Sequence, residues 1–493
     1  MKILFIYPKY PDTFWSFKYA LKFISKKASL PPLGLLTVAA MLPAQWEKRL
    51  VDLNVSSLKD KDLDWADYAF ISAMTIQRDS ARDIIRRCHA KGLKVVAGGP
   101  LFTTESHEFM DVDYLILNEA ENTLAPFLAD LANGCAKHVY TSTAFPDITN
   151  TPCPDWSLIN MKPYDSMCIQ YSRGCPFNCE FCGILTLNGR IPRLKSSAQI
   201  IRELDALYHA GWRDGIFFVD DNFIGNQAAL KNDLLPALIV WMKEKKYPFN
   251  FYTEASINLA DDDQLMSLMT QAGFFKVFVG IETPHTESLK ECNKYTNHKR
   301  DLLACVQKIQ HSGFEVQGGF IIGFDNDPPS IFEKQIQFIQ KSGIVTAMVG
   351  LLTAMRGTQL YKRLEEEDRL LFKTSGDNTD LSLNFIPKMD PETLINGYKV
   401  VLKTIYSPQQ YYKRVITFLK TYEPQVPLAK IKIRMNDMRP LFKSVWKIGI
   451  IGRERYYYWK LLGWTLCRRP KLIGRAVTYA IFGFNFRKAF SYF

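Results

Sequence analysis

Short apolar runs bounded by turn residues recur through the first 140 residues of the chain. ILFIY near the N-terminus, YAFISAM from Tyr68, KVVAGG from Lys94 and YLIL from Tyr114 each read as a buried strand. Between them the apolar spacing turns helical, as in DSARDIIRRCHAKG from Asp79. That alternation predicts a parallel sheet covered by helices on both faces over residues 1–140. Residues 141–166, rich in Pro, Asp and Asn, lose all periodicity and read as a linker. From 167 to 370 the alternation returns in MCIQYS, GIFFVDD, FNFYTEAS, KVFVGIE, QGGFIIGF and TAMVGLL. Six strand–helix units predict a partial (β/α)6 barrel. Residues 371–493 show no such alternation, and segments such as NGYKVVLKTIYSPQQYYKRVITFLKTY read as amphipathic helices. The fold class expected is α/β with a mostly helical C-terminal domain.

Composition narrows the setting. A length of 493 residues suits two to four domains, and 47% hydrophobic with 23% charged residues is ordinary for a soluble globular chain. Ten cysteines exclude a disulfide scaffold, and their clustering fits a reducing, cytoplasmic compartment. The apolar stretch in MKILFIYPKY is too short for a signal peptide. No run of 18 apolar residues offers a membrane span.

The net charge of +12 is local. From Lys430 to Phe493 there are fifteen Lys/Arg and two acidic residues, Asp437 and Glu454, while the preceding chain balances at −1. This end interleaves basic residues with aromatics, as in RERYYYWKLLGW. Three readings stay open for it: a helical domain with an aromatic core and a solvated basic face, a cap over the barrel mouth, and a peripheral contact with an anionic membrane surface. Nucleic acid ranks below these, because no recognised nucleic-acid motif is present.

The candidate chemistry sits at strand ends. Asp220, Asp221 and Asn222 end GIFFV; Glu254 and Ser256 end FNFYT; Glu282 and Thr283 end KVFVGI; Gly323 and Asp325 end GFII. One polar strand end can cap a helix, but a succession of them favours a ligand site at the barrel mouth. Gly98, Gly99 and Pro100 follow the strand KVVA, where glycine lets backbone approach a ligand or simply makes a tight turn. Cys175, Cys179 and Cys182 form C-x3-C-x2-C in YSRGCPFNCEFCGI. A structural zinc or a fully ligated [4Fe–4S] cube takes four protein ligands, and the next cysteine is Cys292. Three thiolates would leave one iron open to a small molecule. Cys153 and Cys168 flank the motif without its spacing and are read as non-ligands.

This cysteine pattern, with Phe181 before its last member, resembles the signature of the radical S-adenosylmethionine superfamily. The resemblance implies that the open iron chelates S-adenosylmethionine and that one electron cleaves it to a 5′-deoxyadenosyl radical, which abstracts hydrogen from an unactivated carbon. It implies a [4Fe–4S] cluster on the three cysteines. Asp220 and Asp221 would stand near the methionine amino group, Glu254 at the ribose or methionine, and Glu282 at the substrate or a ribose hydroxyl. Gly319, Ile321 and Gly323 would form a flat backbone edge for adenine. A reducing donor such as flavodoxin or ferredoxin would be the electron source.

PPLGLLTVAAMLP, VDLN, SAMTIQ, GGP and YLILNEAENTL resemble the cobalamin-binding domain that precedes many such barrels. Ser72, Thr75, Gly98, Gly99, Glu119 and Glu121 would then face the corrin or its nucleotide tail. Asn118 and Ala120 stand where related domains often have Gly. The Asp-x-His-x-x-Gly motif is absent, and none of the seven histidines has its context, so a lower face without a His ligand is expected. GIETPHTESLKECNK, FDNDPPSIF and the C-terminal segment are similar to the group with an uncharacterised C-terminal domain, whose relatives tailor hopanoids and bacteriochlorophylls. The function implied is radical methylation of a hydrophobic small molecule. The alternatives are a radical cyclase, oxidative or rearrangement enzyme, and a non-catalytic iron–sulfur or cobalamin-binding protein.

Overall fold

The computed structural model describes residues 1–377, 379–424 and 435–491, with side chains from 439 onward in the last stretch. The first residues of the basic end, 430–434, lie outside the described residues, as does the side chain of Asp437.

Two six-stranded sheets, both wholly parallel, organise the chain. The first contains β1 (Lys2–Tyr7), β2 (Glu47–Asp52), β3 (Tyr68–Ser72), β4 (Lys94–Gly98), β5 (Tyr114–Ile116) and β6 (Val139–Tyr140), in the order β2-β1-β3-β4-β5-β6. Successive side chains of one strand feed opposite faces. Leu4 and Ile6 pack with Ile84, Ile85 and Cys88 of helix Arg78–Ala90. Ile3 and Phe5 pack with Leu35 and Ala39 of helix Leu33–Met41 and with Leu124 and Phe127 of helix Ala120–Ala132. All four β1 side chains are fully buried, and each such burial contributes roughly 1.5–3 kcal/mol.

The second sheet adds β7 (Met167–Ile169), β10 (Gly215–Phe218), β11 (Asn250–Glu254), β12 (Phe274–Glu282), β13 (Glu315–Ile322) and β14 (Ala347–Leu351). Its strands are neighbours in chain order from β7 to β14, the arrangement of an open (β/α)6 barrel. Between β7 and β10 a two-residue hairpin, β8 (Ser172–Arg173) with β9 (Arg193–Leu194), closes the base of the cysteine loop. Helix Ser197–His209 follows it. Ser196 Oγ accepts from Gln199 N–H, and the Gln199 side chain returns to Ser196 N–H at 3.0 Å. This capping box is worth about 1 kcal/mol.

The stretch 141–166 has only two short helical turns, yet it is packed rather than loose. Ile148, Trp156 and Tyr164 are buried, and Tyr164 Oη donates to Asp52 Oδ2 at 2.8 Å. It straps the first sheet to the barrel.

The C-terminal helices share the barrel's core. Tyr398 Oη donates to the Val349 carbonyl at 3.0 Å and Tyr406 Oη to the Ala347 carbonyl at 2.6 Å, both on β14. Tyr479 Oη donates to Glu315 on β13 at 2.9 Å. Phe486 stacks on Phe14 at 4.6 Å, so the last helix, Ile473–Ala489, also holds the segment after β1. The aromatics of the last helix are thus core, while the basic residues of this end lie mainly on the outside among the described residues.

Candidate active site

The carboxyl ends of both sheets open into one cavity of about 1970 Å³. Sites for single drug-sized ligands run to roughly 1,000 Å³, so this space has room for two. Ser72, Thr75, Gly98, Gly99, Glu119 and Glu121 line it from the first sheet. Cys182, Asp221, Glu254, Glu282, Gly319 and Ile321 line it from the barrel. Thr374 and Gly376 reach it from the C-terminal region, where Gly376 packs on Thr75 and Ile76. No histidine is among the lining residues.

The cysteine loop hangs from the end of β10. Asp220 Oδ2 accepts from Tyr171 N–H at 3.2 Å, and Oδ1 accepts from Ser172 N–H and, at 2.6 Å, from Ser172 Oγ. Asp221 Oδ2 accepts from Gly174 N–H at 2.8 Å and from Asn188 Nδ2 at 2.9 Å. Asp220 is buried, does not line the cavity, and has both oxygens engaged by the loop base. Its place is behind the cysteines, apart from the methionine role the resemblance implied. Burial pushes its carboxyl up to about 7 against those hydrogen bonds. Asn222 Oδ1 accepts from Ser256 N–H at 3.1 Å, while its buried Nδ2 has no oxygen or nitrogen partner and its side chain lies against the Cys175 thiol.

The three thiols are close enough for the charges of Cys175 and Cys179 to be felt at Cys182. Burial pushes all three upward, Cys182 to about 12, and Lys294 pulls the other way. Lys294 Nζ pairs with Glu282 Oε1 at 2.8 Å. Burial works against this ammonium, and the charges of Glu282 and Cys179 outweigh it, so Lys294 stays charged beside the cysteines. Among the described residues no three His, Cys, Asp or Glu side chains converge as ligands of one ion. An iron–sulfur cube takes each thiolate on a different iron, and a soft three-sulfur set, with Cys179 buried and Cys175 and Cys182 partly exposed, beside one fixed cation fits such a cluster.

Glu282 sits at φ +62°, next to a register shift in the β12–β13 pairing. A bulge re-aims a side chain, and here it turns Glu282 onto Lys294. Glu282 lines the cavity already paired, which narrows the substrate or ribose role expected of it. Glu254 has no hydrogen-bond partner among the described residues; burial, then Asp221 and Asp220, push its carboxyl up to about 7.

The glycines divide. A Cβ at Gly319 would lie 2.7 Å from the Phe278 ring, and one at Gly99, whose φ is +89°, would lie 2.4 Å from Ser72 Oγ. Gly99 is favoured by its backbone conformation and by Ser72, a Cβ at Gly319 would have to displace the Phe278 ring, and both positions leave bare backbone along the cavity wall. Gly323 does not line the cavity. Its N–H donates to Asp327 at 2.9 Å and it faces Leu394, so it turns the chain instead of extending the adenine edge. Asp325 is likewise withdrawn, bound by Arg363 at 3.0 Å and Arg369 at 2.7 Å.

Glu119 and Glu121 are also committed. Asn118, at φ +62°, turns the chain between β5 and helix Ala120–Ala132. Glu119 meets Arg173 at 2.6 Å and Arg193 at 2.8 Å, and Glu121 meets Arg173 at 2.9 Å. These two arginines face each other in the hairpin beneath the cysteine loop. Sequence reading had the acidic pair facing the corrin; the structure ties it to the loop that carries the cysteines. Arg173, Arg193 and Lys294 were missed as site residues, and Asn222 was read only as part of a polar strand end. Arg173 stands two residues before Cys175, and Lys294 closes the segment GIETPHTESLKECNK.

Three family profiles match the chain: the B12 binding domain over residues 23–128, the radical SAM superfamily over 169–339, and a domain of unknown function, DUF4070, over 358–492. An uncharacterized methyltransferase of Synechocystis sp. is 41% identical over 97% of this chain and 90% of its own length. The hopanoid C-2 methylase of Rhodopseudomonas palustris is 35% identical over 93% of this chain and 88% of its own. Among solved structures, the radical S-adenosylmethionine methyltransferase TsrM of Kitasatospora setae, with cobalamin and a [4Fe–4S] cluster bound, superposes with a TM-score of 0.64. It is 15% identical, over 92% of this chain and 97% of that one.

Proposed function

Because the chain belongs to the radical S-adenosylmethionine superfamily, in the group with an N-terminal B12-binding domain, we propose that it is a cobalamin-dependent C-methyltransferase acting on a hydrophobic small molecule. The observation that carries this reading is the shared cavity, into which the cysteine loop and the glycine strand ends of the first sheet both open. When bound, a [4Fe–4S] cluster would supply the electron that cleaves S-adenosylmethionine, and cobalamin the methyl group that is transferred.

Cys175, Cys179 and Cys182 would hold the cluster. Asp220 and Asp221 would fix the loop that presents it, and Asn222 would face a cysteine sulfur. Glu254 and the Gly319–Ile321 edge would hold S-adenosylmethionine. Ser72, Thr75, Gly98 and Gly99 would hold cobalamin. A hydrophobic substrate suits the apolar lining contributed by Phe278, Phe320, Met348, Leu351 and Met355, and it matches the activity named for the hopanoid relative. A small reducing protein such as flavodoxin or ferredoxin would be the electron donor.

The test is anaerobic incubation of the reconstituted protein with a candidate hydrophobic substrate and methyl-labelled S-adenosylmethionine. Labelled product one CH2 unit heavier, with 5′-deoxyadenosine formed alongside, is the expected result. 5′-Deoxyadenosine with an unlabelled, otherwise altered product would replace methylation by a cyclase or oxidative outcome.

A further inference from the structure

The helices Met435–Ser444 and Arg455–Arg468, joined by the turn Val445–Ile450, expose large apolar side chains to solvent. Phe442 is 65% exposed, Trp446 59%, Ile451 64%, Tyr456 66%, Trp459 48% and Leu466 57%. Trp459 Nε1 donates to the Gly449 carbonyl at 2.9 Å and Tyr458 Oη meets Ser444 Oγ at 2.9 Å, so the second helix lies against the turn and the end of the first. Arg439, Lys447, Arg453, Arg455, Lys460 and Arg468 are exposed among them. Of the two acidic residues in this stretch, Asp437 has a side chain outside the described residues; Glu454 is buried and paired with Arg487 at 2.7 Å, so it does not offset that charge at the surface.

This face borders the cavity rim. Lys443 Nζ donates to the Lys22 carbonyl at 2.9 Å and to Ser25 Oγ at 3.1 Å, and Lys447 Nζ sits 5.5 Å from the Phe23 ring. Lys18, Lys22 and Lys27 are exposed and also line the cavity. A cation-rich surface alone would suit any polyanion. Exposed Trp, Phe, Tyr and Ile side chains gain nothing from phosphates in water, but they gain by entering the headgroup–acyl boundary. Among the described residues no helix is long and apolar enough to cross a membrane, so the contact is peripheral.

We propose that this face docks the cavity mouth on an anionic lipid surface, so that a hydrophobic substrate enters from the bilayer past the Lys18–Lys27 rim. Docking stands on the exposed face itself; delivery of the substrate rests on the reading of a hydrophobic substrate given above. The experiment is co-sedimentation of the full-length, cofactor-reconstituted protein with phosphatidylcholine vesicles, with and without phosphatidylglycerol. Binding is expected with phosphatidylglycerol and weak without it. Lys447→Gln/Arg453→Gln/Lys460→Gln should weaken it about 100-fold, since each cation near such a surface contributes about a factor of five. Phe442→Ser/Trp446→Ser should also weaken it while leaving the charge unchanged. Retained cobalamin and 5′-deoxyadenosine formation in both variants control for folding. Equal binding to both vesicle types, no binding to either, or binding to anionic vesicles that is indifferent to Phe442 and Trp446 but matched by heparin would overturn docking. Failure of methyl transfer to a detergent-dispersed substrate, with vesicle binding intact, would count against the proposed function and leave docking standing.

Discussion

Replacing Cys182 by Ala is expected to reduce 5′-deoxyadenosine formation to the level seen without protein. Cys182 is the cysteine of the three that lines the cavity, and its thiol is pushed up to about 12 by burial when no metal compensates. A thiol in that state holds its proton, which a coordinating iron would displace in forming the thiolate bond. Removing one of three thiolates leaves two, and outer-shell changes around a metal cost only about 10–100-fold. Loss of a ligand should exceed about 100-fold in S-adenosylmethionine cleavage, with a matching loss of iron and sulfide per chain. Cys175→Ala and Cys179→Ala should behave alike. Cys292→Ala is the informative control. Cys292 is buried, its carbonyl accepts from Glu180 N–H at 3.0 Å, and its thiol feels the charge of Cys179. Retained iron and cleavage in Cys292→Ala support a three-thiolate site; loss in that variant would make it a fourth ligand and close the open iron.

Arg173→Gln should uncouple the two halves of the reaction. Arg173 joins Glu119 and Glu121 of the first domain to the hairpin under the cysteine loop, and its side chain is only 14% exposed. Breaking a buried ion pair costs about 3–5 kcal/mol because the remaining charges lose their partner. Arg193 still holds Glu119, which places the expected loss near the lower end of that range. The cysteines are untouched, so iron content and 5′-deoxyadenosine formation should fall little. Methylated product per 5′-deoxyadenosine should fall about tenfold or more, as expected when reacting partners lose their alignment. Arg173→Lys should recover part of the ratio, because one ammonium can satisfy only one of the two carboxylates well. An unchanged product ratio in Arg173→Gln would remove the ion cluster from any role in positioning.

Both sheets were legible because their strands are apolar runs rich in β-branched and aromatic residues, set apart by helical spacing. β2 was not, since EKRLVD is a charged edge strand in which only Asp52 is buried. The β8–β9 hairpin was hidden for another reason: two-residue strands have no periodicity to read. At the site, residue types were legible and partners were not. Asp220 read as a ligand group from its strand end and from the family resemblance, and Glu119 from the resemblance alone. Their oxygens instead serve a loop base and two arginines, contacts made across 48 and 54 residues of sequence. Lys294 reaches the cysteines from more than 100 residues downstream, and the segment GIETPHTESLKECNK that contains it does not show which partner it meets. Gly98, Gly99 and Gly319 line the cavity and Gly323 does not, and the protein's own Phe278 and Ser72 would meet a Cβ at Gly319 and Gly99, a packing reason that no local pattern shows.

The central claim is that the cysteine loop and the glycine strand ends serve one cavity. Cob(II)alamin and a reduced [4Fe–4S] cluster are both paramagnetic. The direct test is the relaxation of the cob(II)alamin electron paramagnetic resonance signal in anaerobically reconstituted protein, before and after the cluster is reduced. Faster relaxation and broadening on reduction, absent in Cys182→Ala, is the result predicted. A cob(II)alamin signal indifferent to the cluster's redox state, with both groups bound at one per chain, would contradict it.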